Sequence, residues 1–323
     1  MKAVVLTDEG LALRELSVPE PKPNEILVKV AASGLNRADL IMAAGRPHGS
    51  LGGAGTIAGL EWAGEVEAVG AEVPEFRPGD QVMCSGAGGY AEYAVTDWGR
   101  ACPVPKAASG PVEAATLPIA LQTMHDALIT NGRLAAGESV LIQGASSGVG
   151  IMAIQIARLK GAGTVIATSR DAGRRARLAE VGADLVLDLG DPGWVEQARE
   201  ATGGEGVDLT IDQVSGSLAN QTMQAAAVLG RIVNVGRLGG FTAEFDFDLH
   251  ALKRIDYIGV TFRTRSVEEV RAINAAMRAD IWDAVEDGTL SLPIDRTFAL
   301  EQAAEAQAHM RANAHFGKIV LTV

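Results

Sequence analysis

Hydrophobic positions change their period along this chain. In the N-terminal third they fall in short runs at 2–6, 25–31, 64–69, 81–84 and 90–94, separated by polar punctuation such as PEPKPNE and EFRPGD. Such runs predict β-strands. From Pro111 the texture lengthens, and the Ala- and Leu-rich stretch 111–131 predicts a helix. Residues 138–170, ESVLIQGASSGVGIMAIQIARLKGAGTVIATSR, then read as an apolar strand (139–143), a turn of small side chains (144–150), a helix and a β-branched strand (164–168). Ile151, Ile154 and Ala157 carry the helical spacing. Alternation continues with strands at 185–189, 208–212, 230–235 and 256–262 and helices at 193–201, 218–228 and 267–287. Residues 237–247 read as a loop with an exposed strand, and 318–323 as a final strand. The chain is therefore of the α/β class, with a β-rich start and a doubly wound parallel sheet.

Composition narrows the classes. At 323 residues the chain is long enough for two domains, and 47% apolar with 21% charged residues is an ordinary globular balance. A formal net charge of −12 argues against a nucleic-acid surface. No apolar run approaches the ~20 residues that cross a bilayer, so no membrane association is expected. The start MKAVVLTDEG enters a strand directly, without a signal-peptide pattern. Cys84 and Cys102 form no CxxC and no disulfide framework, which points to the cytoplasm and to cysteines serving as core or loop residues.

The strand–turn–helix–strand order at 138–170 is that of a dinucleotide-binding unit. Such a turn must be small so that a pyrophosphate can approach the backbone, and the following helix offers free N–H groups. Ala145 and Ser147 replace the usual first two glycines, while Gly148 and Gly150 remain. Ser146, Ser147, Gly148, Val149 and Gly150 are the candidate pyrophosphate contacts, with the Ser147 hydroxyl a further donor. An NAD site would place a carboxylate at the end of the second strand. Here stand Ser169 and Arg170, with Arg174 a helical turn on. A hydroxyl and guanidinium groups suit a 2′-phosphate, so the expected cofactor is NADP(H). Asp171 is the dissenting residue, able to face a ribose, and Arg175 and Arg177 read as a solvated basic face.

These segments together resemble the medium-chain dehydrogenase/reductases, in their zinc-free quinone oxidoreductase (zeta-crystallin-like) branch. The resemblance rests on AASGLNRADL (31–40), GLEWAGEVEAVG (59–70), FRPGDQV (76–82), GGYAEY (88–93), QGASSGVG (143–150), GRIVNVG (230–236) and FGKIVLTV (316–323). It implies a GroES-like β-barrel domain over 1–118, a Rossmann cofactor domain over 119–262 and a return segment, 263–323, that completes the first domain. In the family's alcohol dehydrogenases three positions hold a catalytic zinc. Here they read Asn36, Leu60 and, near the third, Ile119, which cannot supply the required ligation, so no metal is expected. The family's structural four-cysteine lobe is also missing. By the same resemblance Asn36 and Thr123 lie beside the nicotinamide and its ribose. Gly236, Arg237 and Leu238 lie at the nicotinamide end, and Thr261, Phe262 and Arg263 in the stretch returning over the cofactor. Leu189 stands where relatives often carry a tyrosine. His315 is a further candidate, with a surface-loop histidine as its plainer reading.

Without metal, the simplest chemistry is hydride delivery to an acceptor whose own conjugation delocalises the incoming charge. A quinone fits, which makes a quinone reductase the first expectation. An enone or enoyl-thioester is the second. A structural or single-stranded nucleic-acid-binding role that keeps the cofactor is the third, disfavoured by the acidic composition. Relatives often place a tyrosine in the loop after the NRAD segment, which here reads AAGRPHGSLGGAG. His48 is the titratable replacement and Asn36 an amide donor, so both are candidate catalytic residues. Arg46 is a candidate to orient an oxyanion, and Asp39 to hold the Arg37 segment or its own turn. The glycine-rich loop 46–57 is expected to adapt to ligand. The resemblance also implies a homodimer joined through edge strands, with 241–247 and 257–260 as the candidate surface.

Overall fold

Residues 1–49 and 51–323 are described in a computed structural model of the chain; Ser50, in the glycine-rich 46–57 loop, lies outside the described residues. The chain folds as two units, Met1–Gln122 with Phe262–Val323, and Thr123–Thr261.

The first unit opens with β1 (Lys2–Thr7), β2 (Gly10–Glu15), β3 (Glu25–Gly34), α1 (Arg37–Ala43), β4 (Glu61–Val69), β5 (Gln81–Ser85), β6 (Tyr93–Asp97) and β7 (Ala101–Pro103). The strands form where β-branched residues bury one face, as in β4, where Trp62 and Val66 point into the core and Glu65 and Glu67 face out. The strand expected over 90–94 begins later, at Tyr93. Tyr90 and Ala91 are fully buried instead, and Ala91 makes only an isolated bridge to Ala3. The helix expected over 111–131 divides into α2 (Pro111–Ala114), α3 (Pro118–His125) and a π-helical turn at Asp126–Asn131. Pro118 explains the first break, because a proline disfavours helical geometry at the residue before it.

The second unit carries β8 (Ser139–Ile142), α4 (Gly148–Leu159), β9 (Thr164–Thr168), α5 (Ala172–Val181), β10 (Leu185–Leu187), α6 (Trp194–Glu200), β11 (Val207–Asp212), α7 (Ala219–Ala225), β12 (Ala226–Asn234), α8 (Phe247–Lys253) and β13 (Asp256–Gly259). All its strand pairs are parallel, in the order β10-β9-β8-β11-β12-β13. The order runs outward from β8 one way and then restarts at β11 the other way. The crevice at such a reversal, at the carboxyl ends of the strands, is where open α/β sheets bind ligands. The helix expected over 218–228 stops at Ala225, and residues 226–228 already belong to β12. The 237–247 loop makes one bridge, Ser215 to Gly240, in place of a strand, and α8 follows it unanticipated.

The chain then returns to the first unit through α9 (Val267–Glu286), β14 (Ile294–Ala299), α10 (Ala303–Arg311) and β15 (Lys318–Thr322). β15 pairs antiparallel with β3 and parallel with β14, giving the sheet order β14-β15-β3-β4-β5-β7, with β6 on the other part of β3. The last strand of the sequence thus completes the sheet begun by the first hundred residues. Cys84 and Cys102 are buried core residues of this unit, with free thiols.

Candidate active site

In the second unit the turn after β8 is fixed by its own backbone. Gly144 adopts φ +66°, its N–H donates to Thr168 Oγ1 at 3.0 Å, and the Ala145 N–H donates to the Thr168 carbonyl at 3.1 Å. Ser147 caps α4, its hydroxyl accepting from the Gly150 N–H at 3.2 Å and donating to the Gly144 carbonyl at 3.0 Å. The hydroxyl expected to donate to phosphate is therefore directed inward, to the turn. The first-turn N–H groups of Gly148 and Val149 have no acceptor within the helix, as at any helix start. A Cβ on Gly150 would lie 2.5–2.7 Å from the backbone of Ala145, so only glycine lets helix and turn pack this closely. These features fit a pyrophosphate at the α4 N-terminus.

The end of β9 supplies the second part. Ser169 is buried and Arg170 exposed. Asp171, the dissenting carboxylate, is the N-cap of α5 and accepts from the Arg174 N–H at 2.9 Å. That bond engages one oxygen of the carboxylate in the helix cap. Arg175 is not a solvated side chain: its guanidinium donates to the carbonyls of Ser169 (3.0 Å) and Arg170 (3.1 Å) and pairs with Asp188 at 3.0 Å. It braces the segment that presents Ser169, Arg170 and Arg174. Leu189 packs against the core beside β10.

Beyond β11, the buried Asp212 accepts from the N–H groups of Val214 (2.9 Å) and Ser215 (2.8 Å). Ser215 sits at φ 56°, ψ −147°, costly for a residue with a Cβ, and is held there by its hydroxyl bond to the Gly236 carbonyl at 2.8 Å. Gly236 is pressed against Gln213, where a Cβ would meet the Gln213 carbonyl at 2.5 Å. Arg237 is half-buried, and Leu238 is exposed with its N–H donated to the Gln213 carbonyl at 3.2 Å. Sequence reasoning missed Gln213. Its side chain is buried, its Oε1 lies 3.3 Å from the Ser147 hydroxyl, and its Nε2 has no partner among the described residues. Thr123 is half-buried in α3, and Thr261, the last residue of the unit, is half-buried too.

In the first unit Asn36 precedes α1, at the position where an asparagine usually caps a helix through its side chain. It makes no such cap. Asp39 accepts from the Asn36 backbone N–H at 2.7 Å and from the Tyr90 hydroxyl at 3.0 Å, holding its own turn as expected. The Asn36 amide instead donates to Glu61 Oε1 at 2.9 Å. Glu61 is fully buried and paired with Lys318, which also donates to the Leu35 carbonyl at 3.0 Å and Asn36 Oδ1 at 3.2 Å. Lys318 was overlooked, although a lysine inside the apolar run FGKIVLTV is a signal in itself, since lysine is almost never buried unpaired. Of the other expected zinc positions, Leu60 lies in the core and the Ile119 N–H donates to Glu61 Oε2 at 2.9 Å. Among the described residues no group of three His, Cys, Asp or Glu is arranged to hold a metal ion.

His48 is half-buried, and Gly49 approaches the Arg263 backbone so closely that a Cβ there would meet the Arg263 carbonyl at 2.6 Å. Burial and the Arg263 charge hold the imidazole below its ordinary pKa. It is therefore mostly neutral near pH 7, a weak position for a proton donor. Arg46 is exposed and Phe262 half-buried. His315 is buried rather than on a surface loop, its ring beside His309, which pairs with Asp295 at 2.8 Å.

A β-rich unit whose sheet is completed by the C-terminus, together with a parallel-sheet unit with a dinucleotide turn, defines a two-domain nicotinamide-dependent oxidoreductase class. Residues 22–106 match the family model described as alcohol dehydrogenase GroES-like domain, and 148–277 the one described as zinc-binding dehydrogenase. The human quinone oxidoreductase is 31% identical over 97% of this chain and 94% of its own. A phenolphthiocerol/phthiocerol polyketide synthase of Mycobacterium tuberculosis is 30% identical over 98% of this chain, which spans 14% of that protein's length. A mycobacterial protein solved in complex with NADPH is 25% identical and superposes with a TM-score of 0.89 over 100% of both chains. The chain belongs to the medium-chain dehydrogenase/reductase family, in its quinone oxidoreductase branch.

Two outcomes test this geometry. Gly150→Ala must push helix and turn apart, and a loss of about 1–3 kcal/mol is expected for such overpacking, read as a lower urea midpoint. Burial pushes the Asp39 carboxyl up to about 7, against the pull of the Asn36 N–H and the Tyr90 hydroxyl. Its folded pKa exceeds the unfolded one, so its contribution to stability is complete below about pH 4 and is lost as pH rises to about 7. Asp39→Asn removes that slope. The stability of the variant relative to the parent should rise with pH across this window, by at most about 1.4 kcal/mol per pH unit, in urea melts at several pH values.

Proposed function

We propose that this chain is an NADP(H)-dependent reductase that transfers hydride to a quinone. The observation that carries the reading is the end of β9, where Ser169, Arg170 and Arg174 stand together and the Asp171 carboxylate is taken up by a helix cap. A 2′-phosphate there meets a hydroxyl and guanidinium groups, while one oxygen of the Asp171 carboxylate is engaged in the α5 cap. Similarity to the human quinone oxidoreductase and to a protein complexed with NADPH supports the same reading.

Ser146, Gly148, Val149 and Gly150 hold the pyrophosphate, and Gly236, Arg237 and Leu238 lie toward the nicotinamide end, with Thr123, Thr261, Phe262 and Arg263 as further contacts. When bound, NADPH supplies the hydride. Asn36 offers an amide N–H to an oxygen of the acceptor or of the cofactor ribose. Zinc has no part in this reading, because Leu60 and Ile119 carry no ligating side-chain atom and both Glu61 oxygens are engaged. His48 is a poor proton store at neutral pH, so the hydroquinone oxygen takes its proton from water. A second acceptor class, an enone or enoyl-thioester, is supported by the similarity to a segment of a polyketide synthase.

The proposed assembly is a homodimer. β13 is the edge of its sheet, and Phe241, Phe247 and Leu252 in the same unit are 60–76% exposed. Sedimentation is expected to give twice the 33.5 kDa chain mass, and Phe247→Glu to shift it toward monomer. For the activity, NADPH oxidation with 9,10-phenanthrenequinone should outpace NADH oxidation at least tenfold. Arg174→Ala should raise KM for NADPH about ten- to a hundredfold, as expected for losing the ~1.5–3 kcal/mol of a charged hydrogen bond, and leave that for NADH unchanged. Equal use of both cofactors by the parent would sink the NADP(H) reading, and turnover of enones alone would move the acceptor to the second class.

A further inference from the structure

We propose that Lys318 is a positioning residue that fixes the amide of Asn36, so that the amide presents an N–H, and not its carbonyl, to a ligand oxygen. This rests on the reading above that Asn36 meets an oxygen of the acceptor or of the cofactor ribose.

Counting donors and acceptors supports it. An ammonium has three N–H bonds. Those of Lys318 reach the Leu35 carbonyl at 3.0 Å, Asn36 Oδ1 at 3.2 Å and Glu61 Oε1. Glu61 Oε1 also accepts from Asn36 Nδ2 at 2.9 Å, and Glu61 Oε2 accepts from the Ile119 N–H at 2.9 Å. The lysine has no hydrogen left to donate, and both carboxylate oxygens are occupied. The Asn36 amide is read from both ends, its oxygen facing a cation and its nitrogen an anion. Rotating it by half a turn would set oxygen against carboxylate and NH₂ against ammonium, which buried charges oppose strongly. One N–H of Asn36 remains. Lys318 and Glu61 are buried while Asn36 is half-buried, so the remaining donor is on the one member of the three that reaches the surface.

The helix end points the same way. An asparagine in this position ordinarily turns its side-chain oxygen onto the helix N–H groups. Here the Asp39 carboxylate accepts from the Asn36 backbone N–H, the Asp39 N–H donates to the Asn36 carbonyl at 3.0 Å, and the side-chain amide of Asn36 bonds to the lysine and glutamate.

Lys318→Met alone leaves Glu61 buried and unpaired and is expected to unfold readily. The test therefore uses Glu61→Gln/Lys318→Met, which removes both charges, alongside Asn36→Ala and the triple variant. Thermal melts verify that each is folded. Two readouts are taken: the NADPH dissociation constant by fluorescence titration, which needs no turnover, and kcat and KM with 9,10-phenanthrenequinone. Asn36→Ala and the charge-removing pair should each lower kcat or weaken NADPH about tenfold. In the Asn36→Ala background the pair should add less than twofold, because its effect passes through Asn36. Loss in kcat alone assigns the oxygen to the acceptor, and loss in NADPH affinity assigns it to the ribose. The same fold-loss with and without Asn36 would overturn the proposal and leave Lys318 a purely structural residue. Wild-type values for Asn36→Ala in both readouts would instead overturn the reading of Asn36 itself.

Discussion

The first unit depends on one buried ion pair, Glu61 with Lys318. The two side chains are 0% and 5% exposed, and taking such charges out of water costs several kcal/mol per ion before their attraction is counted. The cost is offset only because every remaining site is satisfied, the lysine by Leu35 and Asn36 and the glutamate by Asn36 and Ile119. Glu61 begins β4, Asn36 follows β3, Ile119 lies in α3 and Lys318 begins β15. The pair therefore ties the end of the chain to three elements of its beginning, across a sequence separation of 257 residues. The entropic cost of closing so long a loop grows only with the logarithm of its length. A truncation ahead of Lys318 would remove a sheet strand and leave Glu61 as a lone buried charge.

Asp39 shows the same economy at smaller scale. Its carboxyl holds the Asn36 backbone and the Tyr90 hydroxyl on a single oxygen, leaving Oδ1 buried without a partner. An unpartnered carboxylate oxygen in an apolar core is a place for a proton, which is the geometric counterpart of its raised pKa. Asn36 is thus held at its backbone by one carboxyl and at its side chain by another. In the second unit the corresponding anchor is Asp212, whose carboxylate fixes the loop after β11 and, through Ser215, the loop after β12. Both loops leave the sheet on the side where the strand order reverses.

The second unit was the more legible. Its central strands β8, β9 and β11 are largely buried apolar runs with a parallel-sheet signature, and its glycine turn has a mechanical reason for its small residues, most clearly Gly150 against Ala145. The end of its α7 was misplaced because Ala225 to Val228 has no side-chain pattern that separates helix from strand; pairing with β11 decides it. In the first unit β2, β7 and β14 escaped notice, being short or half-exposed edge strands with little apolar alternation to mark them. Asn36 was visible as a candidate through its motif, but its partners were not. Lys318 and Glu61 meet only through the sheet pairing of β15, β3 and β4, and no local spacing encodes that. Arg175 was misread for the converse reason: on a helical wheel it faces solvent, and only the fold brings Asp188 to it.

The proton bears on which acceptor suits this site. Reduction of an enone places hydride on one carbon and requires a proton on its neighbour, a slow transfer that benefits from a positioned acid. Reduction of a quinone leaves an oxygen anion, which takes its proton from water without help. The one imidazole in the loop expected to face the substrate is held below its ordinary pKa by burial and Arg263. Tyr90, though close to Asn36 through Asp39, is fully buried and its hydroxyl is pushed well above the usual range, first by burial and then by Asp39. Neither group is a ready donor at neutral pH. Lys318 has all three hydrogens engaged within the protein. On the proposed reading, what the first unit offers is the neutral amide N–H of Asn36, which would stabilise charge on an oxygen and transfer nothing. That complement matches the needs of an acceptor whose conjugation carries the incoming electrons to oxygen, and this is the physical ground for placing the quinone ahead of the enone in the proposed function.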